Sequence, residues 1–257
     1  MIVKISRMNI TEDLAGAGEA LMIRGESLKE TSVFLDLEHY IFHKPIAIGI
    51  FGAAVREGDE LVLTQYFLEN RQDLKKLVRA ARDYLREKLA LGYPNLVTFA
   101  GKNDLMMLHA MFRNFSINDD LHELFEHVDL QSVFKREFSQ IIGLTRLEEF
   151  AGIQRENPDI SGSTIAKTFG RIMNDPKYFS RMPEEKIQRF LDYNAQDVVN
   201  LYHITARWDR ISRTEVDKYR EAMKEKRIIK EQARLAEHSD KKARLKQQPA
   251  DFSDDPA

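Results

Sequence analysis

The sequence contains no cysteine. That excludes disulfide scaffolds, thiolate zinc sites and cysteine nucleophiles together. It also lacks any apolar run approaching the roughly 18 to 20 residues of a membrane-spanning helix. The opening MIVKISRMNITEDL carries acids where a signal peptide would carry an unbroken apolar stretch. The expectation is a soluble, unexported, cytoplasmic protein with no membrane association. A charge excess of one sign is missing too. With 39 basic and 41 acidic side chains the formal charge is −2, so any nucleic-acid site must be local. No Walker loop, G-x-S-x-G elbow, Cys/His constellation or internal repeat offers a rival chemistry.

What remains is a 257-residue chain, 43% apolar and 31% charged, long enough for one large domain or two small ones with a solvated charged segment. Residues 1–32 read as a lead-in, with a short apolar stretch at Met1–Ile5 and a weakly helical segment around Glu12–Met22. From Val33 the runs VFLDLEHY, PIAIGIFGAAV and ELVLTQYFL are strand-like, and Gly58-Asp59 suits a hairpin between the last two. Leu74, Leu77, Val78, Ala81, Leu85 and Leu89 recur at helical spacing, Gly92 and Pro94 stop that helix, and NLVTFAG follows as a fourth strand. This order predicts an α/β protein with a mixed sheet flanked by helices over residues 33–209, almost wholly helical after residue 104. Beyond Thr214 apolar residues thin out. Residues 210–257 read as a charged, solvated helix ending in a disordered tail, QPADFSDDPA. Its Lys and Arg content leaves a protein-partner or nucleic-acid arm open beside the plainer reading of an exposed helix.

The most informative residues are Phe34-Leu35-Asp36-Leu37-Glu38-His39, where two acids interrupt an apolar strand. Side chains alternate along a strand, so Asp36 and Glu38 share one face about 7 Å apart. On a buried strand their repulsion and lost hydration cost several kcal/mol unless a cation compensates; at an exposed strand end they are simply solvated. Asp104 stands after the strand LVTFAG, as helix cap or as ligand. Tyr193 and Asp197 in YNAQD share a helix face at i, i+4, as a surface pair or as part of a site. Four acids together offer oxygen-only ligands, which suit Mg2+ or Mn2+ rather than zinc.

The order DLE, a later Asp, then YNAQD resembles the DEDD exonucleases of the ribonuclease H-like fold. Tyr193, four residues before the last Asp, places the chain with their tyrosine-bearing subgroup. GLTRLEEFAGIQRENPDISGSTIAKTF followed by FLDYNAQDVVNL is similar to the YprB-type ribonuclease H-like exonuclease domain. The likeness covers about residues 30–208. One motif departs: where family members often read Phe-Asn-Gly-Lys, an aromatic and Asp, this chain reads Phe99-Ala100-Gly101-Lys102-Asn103-Asp104. It lacks the Asn and is one residue short.

The resemblance implies that Asp36, Glu38, Asp104 and Asp197 hold two Mg2+ or Mn2+ ions across a scissile phosphate, with Asp36 shared. It implies that Tyr193 orients the attacking water, since a phenol with an ordinary pKa near 10 is a poor base. Lys102, Arg155, Lys167 and Arg171 are candidate phosphate contacts, set against the plainer alternative of surface charges. The implied activity is a metal-dependent 3'-to-5' exonuclease on single-stranded or fraying DNA or RNA ends. The alternative is a nucleic-acid-binding module that keeps the fold without turnover, and the register at Asp104 separates the two. A third reading, an interaction protein using the charged carboxyl-terminal helix, requires the four acids to be unrelated in space.

Overall fold

The computed structural model describes residues 1–11, 19–156 and 160–246, with side chains of the last helix described through Arg234. Most of Glu12–Met22 and the tail QPADFSDDPA, for which the sequence predicts a weak helix and disorder, lie outside the described residues. The chain divides into two compact units, Met1–Ser212 and a second beginning at Arg213.

The first unit is organised around six strands. β1 (Ile2–Asn9) is followed by a small hairpin, β2 (Met22–Ile23) and β3 (Glu26–Ser27), and a one-turn helix α1 (Leu28–Thr31). Then come β4 (Ser32–Phe42), β5 (Lys44–Glu57), β6 (Glu60–Phe67), α2 (Leu74–Ala90), β7 (Asn95–Thr98), α3 (Lys102–Asn114), α4 (Leu121–Leu124) and β8 (Glu126–Asp129). Helices α5 (Leu130–Phe138), α6 (Leu144–Phe150), α7 (Gly162–Asn174) and α8 (Glu184–Ala206) complete it. The strand order is β1-β6-β5-β4-β7-β8. β1, β6, β5 and β4 pair antiparallel, whereas β4, β7 and β8 run parallel.

Two expectations change. Met1–Ile5 is no lead-in: all of β1 pairs with β6, Ile2 opposite Phe67 through Asn9 opposite Glu60, so it belongs to the sheet. Its alternation of half-buried and exposed side chains fits a strand at the sheet edge. The chain after residue 104 also contains β8, whose four residues EHVD bury only Val128 and so carry no apolar run to read.

Helices cover both faces. Leu37 lies opposite Phe51, whose ring packs edge-on against Tyr84 of α2. The next row, offset by one residue, faces the other way. There Asp36, Gly52, Gln65 and Lys4 stand in register across β4, β5, β6 and β1 beneath α8. Gln65 donates to the Leu191 carbonyl and to Asn194 Oδ1, and Lys4 lies 3.8 Å from Asp192. Gly52 is required here, because a Cβ would stand 2.1 Å from Asn194 Oδ1. One cross-strand row therefore fixes where α8 sits.

Candidate metal centre

β7 pairs with β4 only through Phe34, so Asp36 and Glu38 lie just beyond the point where the two strands part. The carboxyl ends of parallel strands are where ligands bind in open α/β sheets. Glu38 also borders a β-bulge: it faces Ile50 while His39 faces Ile48, leaving Gly49 over. Such bulges re-aim side chains. Phe169 of α7 fills the space where a Gly49 side chain would be.

α8 delivers Asp197 to the same place. Ligand oxygens of Asp36, Glu38 and Asp197 lie within 4.8 Å of one another. Glu38 is only 7% exposed, so the solvated-strand-end alternative does not describe it, and Asp197, 5% exposed, is not a surface residue. Burial pushes the Asp36 carboxyl from an ordinary 3.8 to about 6, against a hydrogen bond from Asn194 and the charge of Arg155. Glu38 is raised well above the usual carboxylate range, by burial first and then by Asp36 and Asp104. An all-oxygen, electron-rich donor set that resists ionisation when empty fits a hard divalent cation.

Asp104 is 7% exposed and raised well above its ordinary value by burial, then by the charges of Asp36 and Asp129. It faces the other acids but stands outside the triad of ligand atoms. Its Oδ1 is 3.8 Å from His39 Nδ1. The capping alternative does not hold: Gly101 is the cap of α3, and Asp104 sits in the first turn behind it. In the approach to Asp104, Ala100 takes φ +51° and its N–H donates to Asp129 Oδ1 at 2.8 Å.

Tyr193 lies one turn before Asp197, half-buried, its hydroxyl raised by burial and by the charges of Glu38 and Asp36. It is a protonated hydrogen-bonding group at neutral pH. The Arg155 guanidinium lies 5.6 Å from the centre of the Tyr193 ring, pairs with Asp197, and has Nε 3.4 Å from Glu148 Oε2. Arg155 is thus a counter-ion within the cluster. The other three candidate phosphate contacts are exposed: Lys102 lines a recess beside β8 with Arg24 and Arg136, while Lys167 and Arg171 project from α7.

Sequence reading missed three residues. Asn194 donates to Asp36 Oδ2 at 2.9 Å, and Gln65 in turn holds Asn194. The signal existed, since Asn194 occupies the apolar stripe between Leu191 and Val198 and is fully buried. Glu148, also fully buried, accepts from Asn200 at 2.8 Å and faces Arg155. Only its place beside Leu147 hinted at burial.

A mixed antiparallel-then-parallel sheet, with acids gathered where β4 and β7 part and a further one from the last core helix, defines a ribonuclease H-like α/β domain. The chain matches the model of the RNase H superfamily over residues 33–209 and belongs to that superfamily. Membership points to a nuclease and to a nucleic-acid substrate. The sequence matches no curated protein. Among the described residues no helix is long and apolar enough to cross a membrane.

Proposed function

We propose that this protein is a divalent-metal-dependent 3'-to-5' exonuclease of the DEDD type, acting on single-stranded or fraying DNA or RNA ends. The observation that carries the reading is the convergence of Asp36, Glu38 and Asp197 where β4 and β7 part. Asp36, Glu38 and Asp197 would hold one Mg2+ or Mn2+, and Asp104 with Asp36 a second. Such ions would supply Lewis acidity toward a bound water and toward the charge on the leaving 3' oxygen. Asn194 holds Asp36 in its rotamer through a bond to Oδ2. The Tyr193 hydroxyl orients the attacking water as a donor and does not take its proton. Arg155, beside the Tyr193 ring, would be a donor for phosphate oxygen. Polarity and the count of two ions rest on the DLE and YNAQD pattern.

A second reading, a binding module without turnover, is favoured by one observation: Asp104 stands outside the triad. One experiment separates them. Single-stranded oligonucleotides labelled at the 3' or the 5' end, DNA and RNA separately, are incubated in Mn2+ with wild type, Asp36→Asn and Asp104→Ala. Shortening from the 3' end by wild type alone supports the exonuclease. Retained binding by a wild type that degrades neither polymer supports the module.

A further inference from the structure

Beyond Glu38 the same strand carries Tyr40, one pleat repeat or about 7 Å further on. α7 runs alongside. Its first residue lies against Glu38, since a Cβ on Gly162 would be 3.7 Å from Glu38 Oε2. Lys167 and Arg171, four apart on one helix face, project about 8 to 14 Å further along its axis. Between them and the strand lies a recess of about 640 Å3, lined by Tyr40, Lys167, Arg171, Asp175 and Tyr178.

Both rings are fixed in place. Gly170 lets the phenol end of Tyr40 rest on the helix backbone, where a Cβ would be 2.9 Å from Tyr40 Cζ. The Arg171 guanidinium lies 5.9 Å from the centre of the Tyr178 ring, with Nη1 3.4 Å from its hydroxyl. That contact, with Lys186 nearby, holds the Tyr178 hydroxyl below its usual range, a sign of local positive potential. The carboxylate in the lining, Asp175, is engaged by Arg181. Lys167 and Arg171 form no ion pair among the described residues. Two aromatic rings and two uncompensated cations, on the flank of a carboxylate cluster, are the materials of a single-strand groove: rings for base faces, cations for the backbone.

We infer that this recess is a subsite for one base and its two flanking phosphates in a single-stranded polynucleotide whose scissile end lies at Asp36 and Glu38. The inference rests on the nuclease reading and adds where the strand is gripped. A duplex end offers no free base face to Tyr40 or Tyr178, so the subsite selects single strands. Base stacking and phosphate contact are common to DNA and RNA.

The test uses the full chain carrying Asp36→Asn, so that probes survive. The probes are fluorescein-labelled decathymidylate, decauridylate and a blunt ten-base-pair duplex, read by anisotropy across a salt series. Tyr178→Leu should weaken binding of the single strands about tenfold, the loss of one stacked base. Lys167→Gln with Arg171→Gln should lower the slope of log Kd against log salt by about 1.4, or 0.7 per lost phosphate contact. The preference for single strand over duplex should fall in both. Whichever decamer binds tighter identifies the polymer gripped. Unchanged affinities and slopes in every variant overturn the subsite, as does polyglutamate competing as well as decathymidylate. Turnover by chains retaining Asp36 keeps the two readings apart. Hydrolysis with unchanged variant affinities leaves the nuclease standing without the subsite; the expected binding losses without any hydrolysis leave the subsite standing without the nuclease.

Discussion

Arg155 is paired with Asp197, so the carboxylate that α8 carries to the cluster already has a cation before any metal arrives. Removing that cation leaves Asp197, 5% exposed, facing Asp36 and Glu38 uncompensated. Arg155→Met should therefore cost about 3 kcal/mol of stability in chelator, the usual cost of breaking a buried pair. It should also enlarge the stabilisation by Mn2+, because the ion no longer competes with a guanidinium. Wild type itself should gain about 2.7 kcal/mol at a hundredfold excess of ion over Kd. Thermal melts in EDTA and in millimolar Mn2+ measure all three quantities. An equal Mn2+ gain in both proteins would remove Arg155 from the site.

The titration of Asp36 sets a pH dependence opposite to that of most carboxylates. With its folded value near 6 and its ordinary value at 3.8, the folded chain binds this proton more tightly than the unfolded chain. Stability is then complete below about pH 4 and falls as pH rises through 6, by on the order of 2 to 3 kcal/mol. Glu38 and Asp104, raised by burial, act in the same direction. Asp119, held low chiefly by Arg86, acts the other way but only on acidification below its ordinary value. In EDTA the melting temperature of wild type should fall relative to that of Asp36→Asn between about pH 4 and 7. His39, His109 and His127, each lowered from 6.5 chiefly by burial, act the other way within this window, so the difference between the two proteins carries the test, and equal pH slopes in wild type and Asp36→Asn contradict the shift assigned to Asp36.

Gly52 leaves room for Asn194, and Asn194 holds the carboxylate of Asp36. Gly52→Ala drives a methyl into Asn194 Oδ1 and should cost about 1 to 3 kcal/mol, the range for overpacking. Asn194→Ala leaves Asp36 and Gln65 without a shared partner and should cost about 1 to 3 kcal/mol. If Asn194 acts by positioning Asp36, its loss lowers kcat more than it raises KM. A variant that is destabilised but turns over at the wild-type rate would leave Asn194 a purely structural residue.

Much of this was legible in advance, and the reasons differ by residue. Long runs such as PIAIGIFGAAV mark strands buried on both faces, and i, i+4 spacing marks α2 and α8, so the mixed layered fold follows from periodicity. Asp36 and Glu38 stand out because charge inside an apolar run demands a reason. Asp104 could be found but not assigned, since a first-turn acid reads equally as a cap. β8 and the sheet role of β1 were hidden: one has a single buried apolar residue, the other alternates at an edge. Arg155 and Glu148 were out of reach as a pair because their meeting depends on how α6 and the following loop return to α8.

The extent of the core can be measured by truncation. Thinning apolar content places its end near Thr214, and residues 221–234 are exposed. A chain ending at Thr214 should therefore stay folded and melt cooperatively. Aggregation or non-cooperative melting of that chain would place the boundary further along.

The approach to Asp104 stores a small strain that one substitution should relieve. Ala100 is held at φ +51°, a left-handed conformation that alanine adopts at a cost of about 1 kcal/mol and that asparagine tolerates better. Ala100 is exposed, so a larger polar side chain meets no packing penalty. Ala100→Asn should therefore stabilise the protein by about 0.5 to 1 kcal/mol, and Ala100→Val should destabilise it by more, since branching at Cβ worsens the clash. Urea midpoints at constant m resolve differences of this size. If asparagine instead destabilises, the loop does not hold this conformation in solution, and the placement of Asp104 beside Asp36 and Glu38 fails with it.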